Sequence, residues 1–473
     1  MDRLFEGVEV TQQRGDIAAT EVTSIELDSR NVVPGSLFFC LPGLQADGHD
    51  FAAAAVDSGA VGLVVERLLP LPVPQAVVAP GTARHAMARI AGNFYGDPAR
   101  SLLTIGVTGT NGKTTVTHLL ATILDAHDMP CAVIGTLDGA RTTPEAPVIQ
   151  KILDGARHGG RKAAAIEVSS HALTQGRVDG IHFAAAVFTN LSHDHLDHHQ
   201  TMEAYFTAKA LLFEPQRTSL AVINTDDQWG RRLLDGVRVP AVSFSSGDAT
   251  AVRTTSGRTT FSWRGHAVAL ALTGAYHVTN ALAAATTAVA LGVPEETVVR
   301  GLARARPVPG RFEVVDVPAS FTVVVDYAHT PDGLEVALDS ARRLAGDNRV
   351  LCVFGCGGDR DRAKRPLMAA VASNAADVTV ITSDNPRHED PRAIVEEVRR
   401  GVADEAAVIV EPDRALAISR AVGLARPGDV VLVAGKGHET FLEIAERHLP
   451  FDDRLVVADA VRRLDPAPSE MTP

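Results

Sequence analysis

Short apolar runs alternate with glycine-rich or polar turns along most of this chain. Between residues 102 and 226 each apolar run is followed by a turn and then by a helical stretch, as in LLTIGVTGT (102–110) before VTHLLATIL (116–124). Runs of the same kind recur at CAVIG, AAAIEV, AAAVFTN and LAVINTD. Alternating strands and helices predict a mostly parallel sheet, and ligands bind such sheets at the carboxyl ends of the strands.

The pattern changes twice, which divides the chain into three sections. Residues 1–97 contain the short strand candidates SIELDSR, SLFFCLP and VGLVVE and the helical stretch DFAAAAVDSGA. A segment at about 240–272 has the alternation and polar turns of antiparallel hairpins. After a break near RPVPGRFEV (306–314), strands and helices alternate again at FTVVVDYAH, VLCVFGCGG, DVTVITSDN and VVLVAGKGHE. We expect an α/β protein with three domains, at residues 1–97, 98–311 and 312–473.

Composition and charge argue against several classes of protein. Hydrophobic residues make up 45% of the 473 residues and aromatic residues 5%, which favours a globular α/β protein over a disordered or membrane protein. The formal charge of −12 argues against broad nucleic-acid binding. The start MDRLFEGVEV has no signal-peptide pattern, and no apolar run is long enough to span a bilayer. The 4 cysteines form no disulfide framework in a chain of this length, so we expect a cytoplasmic protein.

The segment VTGTNGKTT (107–115) predicts a phosphate-binding loop. It follows an apolar strand and precedes a helix, so its backbone N–H groups and the helix N-terminus would face phosphate oxygens. Lys113 would neutralise the β and γ phosphates, and the Thr114 hydroxyl would coordinate Mg²⁺. The glycine spacing differs from the standard pattern, which has its first glycine where this chain has Val107. The segment nevertheless indicates ATP or GTP.

The segment SHDHLDHH (192–199) carries the H-x-H-x-D-H spacing of His193, His195, Asp197 and His198, which can hold two zinc ions. A solvated polar turn is a second interpretation, and a magnesium site beside the phosphate loop is a third. The surroundings favour magnesium, because oxygen ligands next to a triphosphate select Mg²⁺ over zinc.

Two further residues belong to the same predicted crevice. Glu167 ends the strand AAAIEV, and Lys209 lies in the helical stretch MEAYFTAKALLF. Strand ends that carry Thr114, Glu167 and His195 would converge above the phosphate loop.

With these motifs in place, the chain resembles the Mur ligases, ATP-dependent amide-forming enzymes of peptidoglycan precursor synthesis. TGTNGKTT, EVSSHAL, FTNLSHDHLDHH, LTGAYHVTNALAA, PGRFEVV and DYAHTPD occur in the order of that family, over about residues 25–460. LDSRNVVPGSLFFCLPGLQADGHDF, FGCGGDRDRAKRPLM and DNPR resemble its MurE branch, which adds the third residue to UDP-MurNAc-L-Ala-D-Glu. The resemblance implies an N-terminal uridine-binding domain, a central P-loop-type ATPase domain with an antiparallel insert, and a Rossmann-like C-terminal domain.

The resemblance also assigns the ATP and metal site. ATP would phosphorylate the D-Glu γ-carboxylate, and an amine would then attack the acyl phosphate. Thr114 and Glu167 would hold one Mg²⁺, and His195 and a carbamylated Lys209 a second. The implied catalytic residues are Lys113, Glu167, His195 and Lys209. The implied ATP-binding residues are Gly109, Thr110, Asn111, Gly112, Lys113, Thr114, Thr115, Asn280, Arg311 and Asp326.

The resemblance also assigns residues to the acceptor end and to the amino-acid end of the substrate site. For UDP-MurNAc-L-Ala-D-Glu the matching positions are Leu27, Ser29, Leu44, Gln45, Ala46, Thr142, Thr143, Ser169, Gln175 and Arg177. The sequence DNPR resembles the version that selects meso-diaminopimelate, with Arg387 pairing its second carboxylate and Glu439 its distal ammonium. The implied diaminopimelate-binding residues are Arg360, Asp384, Asn385, Pro386, Arg387, Gly435 and Glu439.

The chain departs from the family pattern at two places. His277 stands where the family usually has asparagine, and the segment 135–147, beside the acceptor peptide, is shorter than usual. A Mur-like ligase with another acceptor or another amino acid, such as L-lysine, is therefore an alternative to the diaminopimelate ligase. A non-catalytic nucleotide-binding module is less consistent with the sequence, because Lys113 and the candidate metal ligands are all present. We expect small-molecule substrates, a monomer, and neither nucleic-acid binding nor membrane insertion.

Overall fold

The structure, a computed structural model, describes residues 3–17, 20–43, 46–137, 139, 141–403 and 406–464. The candidate uridine-site residues Leu44 and Gln45 lie outside the described residues.

The N-terminal part of the chain forms a sheet with the strand order β1-β5-β4-β3-β2. Strands β2 to β5 pair in parallel, and β1 pairs antiparallel with β5. The strands are β1 (Gln12–Arg14), β2 (Ser24–Glu26), β3 (Ser36–Phe39), β4 (Ala60–Val65) and β5 (Gln75–Val77). Helices α1 (Ala52–Asp57) and α2 (Ala83–Phe94) accompany this sheet. The apolar side of α2 packs with Leu37, Phe39 and Val64 in one core.

The middle of the chain forms a parallel sheet with the order β11-β10-β9-β6-β8-β7. Its strands are β6 (Leu103–Thr108), β7 (Cys131–Ile134), β8 (Ala163–Glu167), β9 (Ala185–Phe188), β10 (Ala221–Asn224) and β11 (Ala241–Phe244). Strands β8, β9 and β10 are buried along their whole length, which explains why they are continuously apolar rather than alternating. The predicted parallel sheet is confirmed.

Helices cover both faces of this sheet. They are α3 (Lys113–Asp125), α4 (Ala146–His158), α5 (Ser170–Thr174), α6 (Leu196–His199), α7 (Met202–Ala210), α8 (Gln228–Gly236), α9 (Tyr276–Ala290) and α10 (Glu295–Ala303). Helix α3 packs against α9 in a core that contains Leu120, Ile123 and Leu282. This packing places the N-termini of both helices near the carboxyl end of β6.

The predicted hairpin insert is correct for most of its length. Strands β12 (Ala249–Thr255), β13 (Arg258–Trp263) and β14 (His266–Leu270) pair antiparallel. The prediction is wrong for Ala241–Phe244, which pairs in parallel with β10 and buries Phe244 in the central core. Alternation shows which side of a short strand is apolar but not the direction of its partner, so the sequence did not distinguish these pairings.

The C-terminal part forms a second large sheet, with the order β15-β16-β20-β17-β18-β19. Its pairs are parallel except for β15 with β16. The strands are β15 (Glu313–Val314), β16 (Thr322–Asp326), β17 (Val350–Cys356), β18 (Val378–Ser383), β19 (Val408–Val410) and β20 (Val430–Ala434), with the separate hairpin β21 (Phe441–Ile444) and β22 (Arg447–Pro450). The helices are α11 (Pro331–Ala345), α12 (Lys364–Ala375), α13 (Pro391–Arg399), α14 (Arg414–Leu424) and α15 (Asp453–Leu464).

None of the helices in the described part of the chain has both the length and the apolar character needed to cross a membrane.

Candidate active site

The phosphate loop connects the end of β6 at Thr108 to the start of α3 at Lys113. Gly109 and Gly112 have φ values of 152° and 87°, and a Cβ on Gly109 would lie 1.9 Å from the Thr189 hydroxyl. Only glycine fits this turn, because the neighbouring strand end approaches the backbone so closely. No described side chain caps the N-terminus of α3, so its N–H groups remain available to an anion.

Lys113 lies within this loop. Its Nζ donates to the carbonyl oxygens of Gly109 and Thr110, at 2.9 Å each. Burial lowers the pKa of Lys113, although Glu167 opposes this effect. The ammonium is therefore held among backbone carbonyls at the point where the sequence predicted a phosphate.

The carboxylate of Glu167, at the end of β8, joins two threonine hydroxyls. Thr114 Oγ1 donates to Glu167 Oε2 at 3.0 Å, and Thr136 Oγ1 donates to the same oxygen at 3.0 Å. Arg311 Nη2 donates to Thr114 Oγ1 at 2.9 Å. Hard oxygen ligands on adjacent strand ends fit a magnesium ion, and Glu167 is only 1% exposed.

The histidine-rich segment places His195, His198 and His199 around His171, with ring-centre distances of 5.0, 4.1 and 5.5 Å. His193 Nε2 lies 3.0 Å from Asp361 Oδ2 instead, so the predicted zinc ligands do not all converge. His199 Nε2 lies 2.8 Å from Ser170 Oγ. Among the described residues, no group of three or more His, Cys, Asp or Glu side chains is arranged to hold a metal ion. This arrangement contradicts the dinuclear zinc alternative, which requires these ligands to converge.

His195 itself lies beside the phosphate loop. Its backbone adopts the left-handed conformation (φ 54°), and its Nε2 lies 3.4 Å from Asp194 Oδ2. Burial lowers the pKa of His195 to about 4, despite the opposing effect of Asp194. The imidazole is therefore neutral near pH 7 and keeps a lone pair for a ligand.

Lys209, in the last turn of α7, is fully buried. Its Nζ donates to the Gly109 carbonyl at 2.9 Å and lies 4.7 Å from the centre of the Tyr205 ring. Burial lowers the pKa of Lys209 well below its usual value, and nearby Lys113 adds to the effect. The side chain of Lys209 therefore reaches the phosphate loop rather than the solvent.

Asp326, from the third section of the chain, and Asn280, from the second, complete the nucleotide side. Asp326 ends β16 and accepts from the backbone N–H groups of Phe312 (2.6 Å) and Ala328 (2.8 Å). Burial raises the pKa of Asp326 to about 6, although Arg311 opposes this effect. Asn280, on α9, is nearly buried next to Gly112.

A network of side chains builds the predicted acceptor end. Arg177 donates to the Thr143 carbonyl at 2.8 Å and to Gln175 Oε1 at 2.7 Å. Thr143 Oγ1 donates to the Glu167 carbonyl at 2.8 Å and also contacts Ser169 Oγ. The acceptor end is thus connected to the candidate metal ligand Glu167 through the backbone carbonyl of Glu167.

The loop 384–389 follows β18 and lies at the opposite end of the site. Helix α13 begins at Pro391 after the N-cap Asp390, as predicted. Asn385 Nδ2 donates to Glu439 Oε2 at 2.8 Å. Arg387 Nη1 donates to the Gly358 carbonyl at 2.7 Å.

A cavity of about 1270 Å³ connects these regions. The predicted site residues that line it are Thr110, Asn111, Gly112, Lys113, Thr114, Thr115, Thr142, Thr143, Glu167, Ser169, Arg177, His195, Asn280, Arg311, Asp326, Arg360, Asp384, Asn385, Arg387, Gly435 and Glu439. Gly109 belongs to the phosphate loop, and Lys209 contacts its carbonyl oxygen. Gln175 contacts the lining residue Arg177.

Other predicted residues lie apart from the lining. Pro386 belongs to the lining loop, and its backbone carbonyl accepts from the Glu389 N–H. Leu27 packs against the N-terminal core, Ser29 begins a short 3₁₀ turn, and the Ala46 carbonyl accepts from the Gly43 N–H. The structure thus places the described candidate uridine residues Leu27, Ser29 and Ala46 in the N-terminal sheet region, and they are not among the residues that line the cavity.

Sequence reasoning missed several polar residues of the site. Asp194 is buried, and His195, His329 and Lys364 overcome the effect of burial to lower its pKa to about 2. Asn190 accepts from the Asn111 N–H through Oδ1 at 2.9 Å. Its position directly after β9, at the ligand-binding edge of the sheet, was a signal for this role.

The comparisons with known proteins agree with this geometry. Three family models match: the Mur ligase middle domain at residues 107–288, the Mur ligase glutamate ligase domain at 310–437, and the Mur ligase family catalytic domain at 21–95. The chain is 45% identical to the UDP-N-acetylmuramoyl-L-alanyl-D-glutamate–2,6-diaminopimelate ligase of Geobacillus thermodenitrificans, covering 93% of this chain and 95% of that one. It is 41% identical to the ligase of the same name from Listeria monocytogenes serotype 4b, covering 94% and 95%.

Solved structures give the same result. A structure of a UDP-N-acetylmuramoyl-L-alanyl-D-glutamate–2,6-diaminopimelate ligase has a TM-score of 0.62 at 33% identity, covering 94% of this chain and 95% of that one. MurF from Acinetobacter baumannii has a TM-score of 0.70 at 21% identity, covering 98% and 97%, which shows a shared fold. With matches of this identity over nearly its whole length, the chain belongs to the Mur ligase family.

Proposed function

We propose that this chain is an ATP-dependent ligase that joins meso-diaminopimelate to the D-Glu γ-carboxylate of UDP-MurNAc-L-Ala-D-Glu. The observation that carries the proposal is the shared cavity, which a phosphate loop, an acceptor end and an amino-acid end all line. The names of the relatives support the same pair of substrates. We place the reaction in cytoplasmic peptidoglycan precursor synthesis, where nucleotide-linked substrates and ATP are found together.

The reaction has two steps. The γ-carboxylate oxygen attacks the γ phosphorus of ATP, ADP leaves, and an acyl phosphate forms. The amino group of the second substrate then attacks the acyl carbon, phosphate leaves with the C–O bond electrons, and the nitrogen loses a proton. Negative oxygens accumulate in the first step, so positively charged groups must surround it.

The residues of this chain fit that requirement. We assign Lys113 and the uncapped N-terminus of α3 to the phosphates, with Arg311 reaching the γ phosphate from the boundary between the second and third sections of the chain. Asn280 and Asp326 belong to the nucleoside side. Magnesium ions would supply charge neutralisation of the transferring phosphoryl group when bound. The Thr114 hydroxyl and the Glu167 carboxylate would hold one ion and His195 the other.

Lys209 is proposed as a carbamate ligand of the second ion. A neutral amine attacks CO₂, a C–N bond forms and one proton is released, which turns a buried cation into an anion. The lowered pKa of Lys209 supports the neutral amine that this step needs. As an unmodified lysine, its Nζ contacts the Gly109 carbonyl, directly behind the phosphate loop.

The two substrate ends are assigned by charge. Arg177, with Thr143 and Ser169, suits the carboxylates of the acceptor peptide. Arg387 suits the distal carboxylate of diaminopimelate, and Glu439 its distal ammonium. L-Lysine has a distal ammonium that could pair with Glu439, but it lacks the distal carboxylate that Arg387 would bind.

The test is phosphate release from ATP in the presence of UDP-MurNAc-L-Ala-D-Glu. We expect turnover with meso-diaminopimelate and much slower turnover with L-lysine. Equal turnover with both amino acids would remove the assignment of Arg387. No turnover with either would indicate a ligase with a different acceptor, which the short segment 135–147 would then explain.

A further inference from the structure

The hairpin of β21 and β22 holds the loop that carries Arg387. The Arg387 N–H donates to the Glu443 carbonyl at 3.1 Å, and the Ala445 N–H donates to the Arg387 carbonyl at 2.7 Å. The Glu443 N–H donates to Asn385 Oδ1 at 2.9 Å. Arg387 has a φ of 51°, a conformation that a non-glycine residue keeps only when its surroundings fix it. The hairpin provides those contacts.

The side chain of Glu443 also reaches the guanidinium group. Its Oε2 lies 2.8 Å from Arg387 Nε, while Arg387 Nη1 donates to the Gly358 carbonyl at 2.7 Å. In the described part of the chain, no residue accepts a hydrogen bond from Arg387 Nη2. Both side chains are partly exposed, at 18% for Arg387 and 28% for Glu443, and both line the cavity.

Glu439, the proposed partner of the distal ammonium, is held by neighbouring side chains in a similar way. Glu439 Oε2 accepts from the fully buried Lys436 Nζ at 2.9 Å and from Asn385 Nδ2 at 2.8 Å. Asn385 Oδ1 in turn accepts from Lys436 and from the Glu443 N–H. The cation and the anion that face the ligand are therefore each held by an internal partner of opposite charge, and Asn385 links the two pairs.

We propose that Glu443 is a positioning residue that selects an amino acid with a distal carboxylate. This inference rests on the proposed function of the same site. A guanidinium group fixed through Nε and Nη1 cannot swing away, so its remaining donors are already oriented when a carboxylate arrives.

The test is Glu443→Gln, which keeps the size of the side chain and removes its charge. Because the pair is partly exposed, we expect the KM for meso-diaminopimelate to rise about fivefold while kcat changes less than about twofold. The KM values for ATP and for the UDP-linked acceptor stay at the parent values. The KM for L-lysine also stays unchanged, since lysine has no distal carboxylate for Arg387 to bind.

Glu446→Gln is the matched control, because Glu446 is an exposed residue of the same hairpin. It keeps the kinetic constants and the thermal midpoint of the parent. An unchanged KM for meso-diaminopimelate in Glu443→Gln would overturn the inference, as would an equal rise for L-lysine, which would indicate general damage to the pocket. If the parent enzyme has no activity with meso-diaminopimelate, the proposed function fails; if only the variant's selectivity is unaltered, the inference alone fails.

Discussion

Burial changes the chemistry of individual charged residues in this protein. Lys209 and Lys113 are both buried next to the phosphate loop. Burial lowers the pKa of each, and the charge of Lys113 lowers the pKa of Lys209 further. His195 is neutral for the same reason. An amine without a proton is a nucleophile, and a neutral imidazole is a metal ligand. Desolvation therefore prepares Lys209 and His195 for the roles we propose.

Replacing Lys209 with alanine tests the carbamate. We expect Lys209→Ala to lower kcat by at least about 100-fold, because it would remove an anionic ligand of the second metal ion. Added acetate or formate restores part of the activity, since a short carboxylate fits the space of the missing side chain. The measurement is phosphate release, with sodium chloride at equal ionic strength as the comparison.

Lys151→Ala, at an exposed position of α4, is the control and keeps full activity. A Lys209→Ala enzyme that is fully active without added carboxylate would disprove the carbamate proposal.

His277 shows a cost of burial. The ring is 0% exposed, and among the described residues neither ring nitrogen has a well-formed hydrogen bond, although the Arg311 backbone lies close enough to oppose the effect of burial on its pKa. Burial lowers the pKa of His277 to about 4, against 6.5 for an exposed histidine. The unfolded chain therefore binds a proton between these two values that the folded chain does not bind. Stability is fully present above the unfolded value and is lost as the pH falls towards the folded one.

This cost predicts a pH-dependent effect of His277→Asn, which restores the residue usual in the family. Between about pH 7.5 and pH 5.0 the parent loses about 2 kcal/mol of stability through His277, and the variant does not. Denaturant unfolding at both pH values, followed by the fluorescence of buried Trp263 in the same core as α9, measures the difference. Parallel pH profiles for the two proteins would contradict the prediction.

At the scale of elements, the phosphate loop depends on glycines because two strand ends and a helix meet there. A Cβ on Gly112 would lie 2.5 Å from Asn280 Oδ1, and its φ of 87° is unfavourable for any other residue. The packing of α3 against α9 determines this approach.

Gly112→Ala is therefore expected to lose ATP binding. Strain of about 1–2 kcal/mol and the displaced Asn280 move the loop away from the phosphates, so we expect at least about a tenfold weaker affinity for ATP. Calorimetric titration with ATP and magnesium provides the measurement. Gly155→Ala is the comparison, since nothing lies within 4 Å of the added Cβ in α4. It should bind ATP normally, and equal losses in both variants would refute this account of the loop.

At the scale of the whole molecule, the site exists because separate sheets meet. Arg311 precedes β15 but donates to Thr114 on α3, and its guanidinium lies 4.4 Å from the Tyr327 ring centre. His193 and Asp361 form a second contact between the central and C-terminal sheets. These polar contacts, together with the packing of Tyr276 from α9 against the C-terminal core, join the two sheets at the cavity.

Arg311→Lys tests the contribution of Arg311. The lysine keeps the charge but not the planar pair of donors, so we expect kcat/KM for ATP to fall about 10- to 100-fold. Steady-state kinetics with varied ATP measures the effect. Arg306→Lys, on the exposed part of the same connecting segment, leaves kcat/KM unchanged. Activity of Arg311→Lys within twofold of the parent would exclude a role for Arg311 at the phosphates.

The sequence by itself determined the features that depend on neighbouring residues. The order of strands and helices, the glycine turn before Lys113 and the late start of α13 at Pro391 all follow from apolar periodicity and turn chemistry over a few positions. The candidate ligands Thr114 and Glu167 were predictable for a related reason. Glu167 ends β8, and Thr114 lies in the first turn of the helix that follows β6, so both are at the edge where parallel sheets place their ligands.

Only the tertiary structure decided which distant residues meet. An apolar pattern shows which face of an element is buried but not which element covers it, so β11 was assigned the wrong pairing. Ion pairs are still less visible in a sequence, because any surface carboxylate can in principle meet any arginine. Glu443 lies 56 positions after Arg387, and Asp361 lies 168 positions after His193. The path of the chain between them brings each pair together, and that path is a property of the packed sheets.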